Sequence, residues 1–108
     1  MIKKLENNNF ISNFEKSNEY RRVIHGLIPG GAHTYSKGDD QFPERSPAAI
    51  ARGDGSHVWD IDGNQYVDFV NSLLAVSIGY NHASVNAAVI EQLKKGVSFS
   101  LPSKLEYE

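Results

Sequence analysis

From about Ser12 the apolar residues Phe14, Tyr20, Val23, Ile24 and Leu27 recur along one stripe, with polar residues between them. Spacings of three and four within that set predict an amphipathic helix, which Pro29-Gly30-Gly31 ends. Residues 32–47 ("AHTYSKGDDQFPERSP") lose this periodicity. With two prolines, a glycine and an acidic pair they predict a long loop, a kind of segment that is usually functional or disordered.

Beyond Pro47 the pattern shortens to a period of two. Ala48–Arg52, His57–Ile61 and Gln65–Val70 are short strand candidates, separated by Asp54-Gly55 and Asp62-Gly63. Asp-Gly is a strong hairpin signal because it tolerates the positive φ of tight turns. A small antiparallel meander follows, with Trp59 and Ile61 on one face of its middle strand. An apolar passage from Leu73 to Ile78 and the turn "GYNH" lead to a second helix, Ala83–Lys95. Its expected buried stripe is Val85, Ala88, Val89 and Leu93, and Lys94-Lys95-Gly96 suits a helix C-terminus. Residues 1–13 read as a flexible polar start and 14–108 as one unit, without an internal repeat.

Composition narrows the function classes. The 108 residues make about one small domain. Hydrophobic residues at 40%, charged residues at 22% and a net charge of -2 are the balance of a soluble globular protein. Lys and Arg occur singly or in pairs with no aromatic interleaving, which argues against a nucleic-acid partner. The absence of cysteine removes disulfides and thiolate metal sites. The start "MIKKLENNNFISNFEK" has no apolar core of a secretory signal, and the longest apolar run, Leu73–Val76, is far too short to span a membrane. A cytoplasmic location with no membrane partner is expected.

The stretch "HVWDIDGNQYVDF" sets Asp60, Asp62 and Asp68 around Gly63-Asn64. A calcium loop of the EF-hand type needs oxygen ligands at positions 1, 3 and 5, glycine at 6 and glutamate at 12. Counted from Asp60, position 6 is Gln65 and position 12 is Asn71, so the hairpin reading is preferred. His25 and His57 read as solvated or satisfied side chains, and His82 as part of the turn before the second helix. His33 stands apart as a candidate ligand contact, because it lies in the long loop. No phosphate-binding glycine motif and no Ser/His/Asp arrangement is present.

The order of "LIPGGAHTYSKG", "RGDGSHVWDIDGNQYVDFV", "SIGYNHASVNAAVIEQLKKG" and "SFSLPSKLEYE" resembles the N-terminal portion of class III, pyridoxal-phosphate-dependent aminotransferases. Within that class it is most similar to the glutamate-1-semialdehyde 2,1-aminomutase group. The resemblance implies an α+β segment (helix, small antiparallel meander, helix) of a fold-type-I transferase that is itself α/β. It also implies a homodimer, a small amino-compound substrate and pyridoxal 5'-phosphate held as an aldimine on a lysine. The seven lysines (3, 4, 16, 37, 94, 95, 104) match no aldimine position of the family, so neither a catalytic nor a cofactor-binding residue is assigned to this chain.

The resemblance further implies that this region covers the active-site mouth and contributes to the subunit interface. Where the aminomutases carry asparagine, serine and arginine in the loop after Pro-Gly-Gly, this chain has His33, Thr34 and Lys37. Where they carry Ser-Trp at the pocket wall, it has Ser72 and Leu73. These five residues are the expected substrate-binding set. A lysine keeps the charge of arginine and loses its planar two-pronged grip, which points toward an aminotransferase as much as an aminomutase. A stand-alone, non-catalytic dimerisation or partner-binding module derived from the family is the alternative.

Overall fold

A computed structural model describes Ile11 and residues 13–107; most of the expected flexible start therefore lies outside the described residues. The first helix, α1, is Glu15–Leu27. Phe14 at its N-cap position makes no side-chain cap bond, so the amide groups that every helix start leaves unpaired need another acceptor. Asp62 provides it from the far side of the sequence: its Oδ1 accepts the Lys16 N–H at 2.7 Å and its Oδ2 the Ser17 N–H at 2.9 Å. Ser17 is fully buried, and its Oγ accepts the Ala48 N–H. One turn on, Arg21 donates to the Ser46 carbonyl at 2.5 Å. The helix is thus fastened to the chain leading into the sheet. Of its expected apolar stripe Ile24 is buried, whereas Tyr20, Val23 and Leu27 are exposed.

The long loop is present as short 3-10 turns, Pro29–Gly31, Tyr35–Lys37 and Asp39–Gln41, with irregular chain after them. The meander follows as β1 (Ile50–Asp54), β2 (His57–Asp60) and β3 (Gln65–Val67), antiparallel and in that order. Asp54 pairs with His57 across the first turn and Trp59 with Gln65 across the second. Gly55 and Gly63, at φ +54° and +91°, take the left-handed conformation that the Asp-Gly signals anticipate.

Strand boundaries differ from the periodicity in specific ways. β1 begins at Ile50, where the pairing with β2 is irregular between Ile50 and Arg52. β2 ends at Asp60 and β3 at Val67, because the Asp60 and Asp68 side chains take up the backbone amides that follow them. The expected shared face of Trp59 and Ile61 is not formed, since Ile61 lies past the strand end. Val58 and Asp60 point inward, while Trp59 lies outward under the Arg52 guanidinium, 3.7 Å from its ring centre.

The second helix, α2, is Ala83–Leu93, two residues shorter than its pattern suggested. Its expected buried stripe is corrected: Val85, Ala88, Val89 and Leu93 are all exposed. Val85, Ala88 and Val89 border an open, largely apolar groove shared with Val97 and Leu105. The periodicity identified the apolar face of α2, and nothing among the described residues covers it. The buried apolar side chains of the described residues are Ile24 and Val58. Among the same residues no helix is long and apolar enough to cross a membrane.

Candidate functional site

Asp60 is the most buried large side chain of the hairpin, at 2% exposure. A carboxylate in that position is tolerated only when its oxygens are satisfied. Oδ1 accepts the Asp62 and Asn64 amides at 2.9 and 2.8 Å, and Oδ2 accepts the Asn64 side-chain amide and the Tyr66 hydroxyl, both at 2.8 Å. Burial, together with the neighbouring Asp60 carboxylate, pushes the Tyr66 phenol up to about 12. Asp62 turns outward to cap α1. Loss of water raises its carboxyl, but the Ser17 hydroxyl and the Lys16 and Ser17 amides outweigh this and leave it below its ordinary value. The Asp-x-Asp-Gly-Asn-x-Tyr run is therefore a hydrogen-bonded frame that joins hairpin and helix.

The third carboxylate serves the next segment. Asp68 is tied to the first turn by its N–H, which donates to the Ser56 carbonyl at 2.9 Å. Its Oδ1 accepts the amides of Val70 and Asn71 at 2.8 and 3.1 Å, and its Oδ2 accepts the Tyr80 hydroxyl at 2.5 Å. The bond from Tyr80 is the leading reason that the Asp68 carboxyl lies below its ordinary value; the same bond first, and burial second, raise the Tyr80 phenol to about 12. Tyr80 is itself locked to Gly55 by two backbone hydrogen bonds of 2.8 and 3.0 Å. Its ring lies against Gly53, where an added Cβ would be 2.5 Å from the Tyr80 Cγ.

Between Asp68 and Tyr80 the backbone turns the uncommon way. Asn71, Ser72, Leu73 and Leu74 have φ of +49°, +51°, +60° and +68°, a single left-handed turn made without glycine. Each such residue costs roughly 1–2 kcal/mol relative to a right-handed conformation. A turn of this kind persists only where its surroundings over-determine it. Of "NSLL" only Asn71 is of a type that favours this conformation; Ser72, Leu73 and Leu74 are not. The available signal was Asp68, an acceptor placed to engage backbone amides two and three residues ahead.

The expected substrate-binding residues fall in two places. His33 and Lys37 are exposed and Thr34 is half-buried, all on the loop after Pro29. The Thr34 carbonyl accepts the Lys37 N–H at 2.9 Å, closing the turn that carries Lys37. That loop is fixed to α1 by His25, whose Nε2 lies 3.0 Å from Asp39 Oδ2; this contact is the main cause of a lowered Asp39 carboxyl. Ser72, half-buried, and Leu73, exposed, sit on the left-handed turn. Among the described residues no hydrogen bond joins the two segments. His57 rests beside Trp59 and near the Ser56 hydroxyl, and His82 Nδ1 lies 3.1 Å from the Ser84 hydroxyl at the start of α2.

A lysine that forms an aldimine is activated in a desolvated pocket or beside another cation. Each described lysine (16, 37, 94, 95 and 104) is exposed, and Lys94 pairs with Glu91 at 2.6 Å. The described residues taken alone do not fit an enclosed cofactor site.

Comparison with known proteins bears on the whole arrangement. Glutamate-1-semialdehyde 2,1-aminomutase of Chloroflexus aggregans is 33% identical over 93 residues, covering 86% of this chain and 21% of the relative. A crystal structure of a glutamate-1-semialdehyde aminomutase from Pseudomonas aeruginosa PAO1 matches with TM-score 0.73 and 27% identity over 84% of this chain and 20% of that one. A transaminase solved with pyridoxal phosphate bound matches with TM-score 0.74 and 25% identity, over 89% of this chain and 22% of that chain. The chain thus spans about a fifth of the length of these relatives. The helix, three-stranded meander and second helix are thus a segment of the fold-type-I architecture. Residues 36–108 match the aminotransferase class-III family, whose members depend on pyridoxal phosphate, and the chain belongs to that family.

Proposed function

We propose that this chain is the N-terminal part of a pyridoxal-phosphate-dependent aminotransferase or glutamate-1-semialdehyde aminomutase-like enzyme, working in the cytoplasm as part of a homodimer. Its role is to form part of the active-site mouth and of the subunit contact. The cofactor is held by the remainder of the enzyme. The observation that carries this reading is the fixing of both segments that bear the expected substrate contacts. The loop with His33, Thr34 and Lys37 is held to α1 by the His25–Asp39 contact, and the Ser72–Leu73 turn is held to the hairpin by Asp68 and Tyr80. Each segment has only single short turns of its own, so contacts from α1 and the hairpin set where these side chains stand. The apolar groove on α2 supports the same reading, because it offers a surface for the rest of the enzyme or a second subunit.

In this reading Lys37 supplies a point charge for an anionic group of a small amino compound, Thr34 a hydroxyl beside it, and Leu73 an aliphatic wall. The reading is tested by incubating the 108-residue chain with pyridoxal phosphate, treating it with borohydride and mapping modified lysines. No stoichiometric adduct at a single lysine is expected. A stoichiometric adduct at one lysine would overturn the assignment of the cofactor to the rest of the enzyme.

A further inference from the structure

We propose that Asp68 and Tyr80 are a positioning pair that holds residues 71–74 in their left-handed turn and so fixes where Ser72 and Leu73 stand. The proposal rests on the reading that these two side chains face a substrate, and it adds the residues that set their position without touching it.

The turn has little to hold itself. Its internal closure consists of the Leu74 N–H donating to the Val70 carbonyl at 3.0 Å and of the Ala75 and Val76 N–H groups donating to the Asn71 carbonyl, the latter at 3.1 Å. Four successive residues with side chains stand in a conformation that glycine alone adopts freely. The first amide of the turn, that of Asn71, and the Val70 amide just before it are bound by Asp68 Oδ1. The opposite oxygen of the same carboxylate is bound by Tyr80, twelve residues away. A carboxylate held by one oxygen alone could swing about its χ2; held by both, it has one orientation. Tyr80 supplies a rigid anchor because its backbone is paired to Gly55 and its ring rests on Gly53. The strands therefore transmit their position to Ser72 and Leu73 through one phenol and one carboxylate.

Tyr80→Phe separates this role from a general contribution to the fold, since it keeps the ring on Gly53 and both backbone bonds to Gly55. Leu73-Leu74 is the single Leu-Leu pair in the sequence. Labelling the leucines with 13C at the carbonyl and 15N at the amide gives one carbonyl–amide cross-peak, that of the turn. In the wild-type 108-residue chain the Leu74 peak should be sharp and stand apart from its random-coil position. In Tyr80→Phe and in Asp68→Ala the peak should move to a random-coil position or broaden, while the Trp59 indole peak stays in place. An unmoved Leu74 peak in both variants overturns the proposal. So does a Trp59 peak that moves as far as the Leu74 peak in Tyr80→Phe, which would mark a general loss of structure. In the complete enzyme, Tyr80→Phe should raise KM for the amino substrate about tenfold with cofactor affinity unchanged. A displaced Leu74 peak with an unchanged KM overturns the substrate-facing reading and leaves the positioning role standing.

Discussion

Asp62 caps a helix that begins 47 residues before it: its carboxylate receives the Lys16 and Ser17 amides at 2.7 and 2.9 Å. One side chain in a hairpin turn thereby decides where α1 starts and how it is placed against the sheet. Asp62→Ala should leave the hairpin formed and release the first turn of α1. Hydrogen exchange is the measurement, with lost protection at Lys16 and Ser17 and retained protection at Val58. Equal loss at all three would contradict a local capping role. Acid should mimic the substitution. The folded carboxyl lies below its ordinary value, so its contribution is fully present above the unfolded pKa of about 3.9 and disappears as pH falls through the folded value.

At the alkaline end the sign reverses. Tyr66 and Tyr80 are raised from 10.0 to about 12 by burial and by their bonds to Asp60 and Asp68. A group whose folded pKa is raised contributes fully below its unfolded pKa and loses that contribution as pH climbs through the folded one. The hairpin and the Asp68–Tyr80 link should therefore hold up to about pH 10 and weaken between 10 and 12. Ultraviolet titration should show two late phenols, one of which vanishes in Tyr66→Phe and the other in Tyr80→Phe. A folded chain in which none of the five tyrosines ionises late would refute this assignment.

Gly53→Ala should destabilise by steric conflict, because the new methyl would sit 2.5 Å from the Tyr80 Cγ. Overpacking of this kind costs about 1–3 kcal/mol. Thermal melting of Gly53→Ala, Tyr80→Ala and the double variant is informative, since residues in contact are non-additive. The glycine substitution should be less damaging once the ring is gone, with the remaining cost set by the Tyr80 Cβ, 2.9 Å from the new methyl. Additive losses would show that the two residues do not meet.

Lys37→Ala in the complete enzyme should lower catalytic efficiency toward acidic amino compounds roughly ten- to a hundredfold, the loss of one charge-assisted hydrogen bond. Neutral amino compounds and cofactor affinity should be nearly unaffected. Equal losses for both substrate types, or a fall in cofactor affinity, would assign Lys37 to a solvated surface.

Periodicity and turn chemistry were enough to place α1, the three strands and α2 in their order. Asp54-Gly55 and Asp62-Gly63 marked the two turns because positive φ has a residue preference that a reader can see. The work of Asp60, Asp62 and Asp68 was less visible, because six of the donors they bind are backbone amides, which every residue but proline carries. Likewise "NSLL" contains nothing that demands a left-handed turn; its cause lies in Asp68 and Tyr80. The stripe Val85, Ala88, Val89 and Leu93 was found as an apolar face and misjudged as buried, since spacing reports which side of a helix is apolar and not what lies against it. The substrate contacts His33, Thr34, Lys37, Ser72 and Leu73 came from resemblance, and the Lys37 and Tyr80 variants are their test.

The donors to the Asp60 carboxylate all come from residues 62, 64 and 66, and this closeness has a consequence in time. A ring of bonds within six residues closes with little chain entropy, and a hairpin of this size forms in about 1–10 μs. The bonds that fasten α1, by contrast, join residues 25 to 46 positions apart. The hairpin should therefore form first and serve as the nucleus on which α1 docks. In stopped-flow refolding, Asn64→Ala should slow folding, whereas Asp62→Ala should chiefly speed unfolding. The reverse pattern would mean that the helix waits for nothing and the hairpin is laid down upon it.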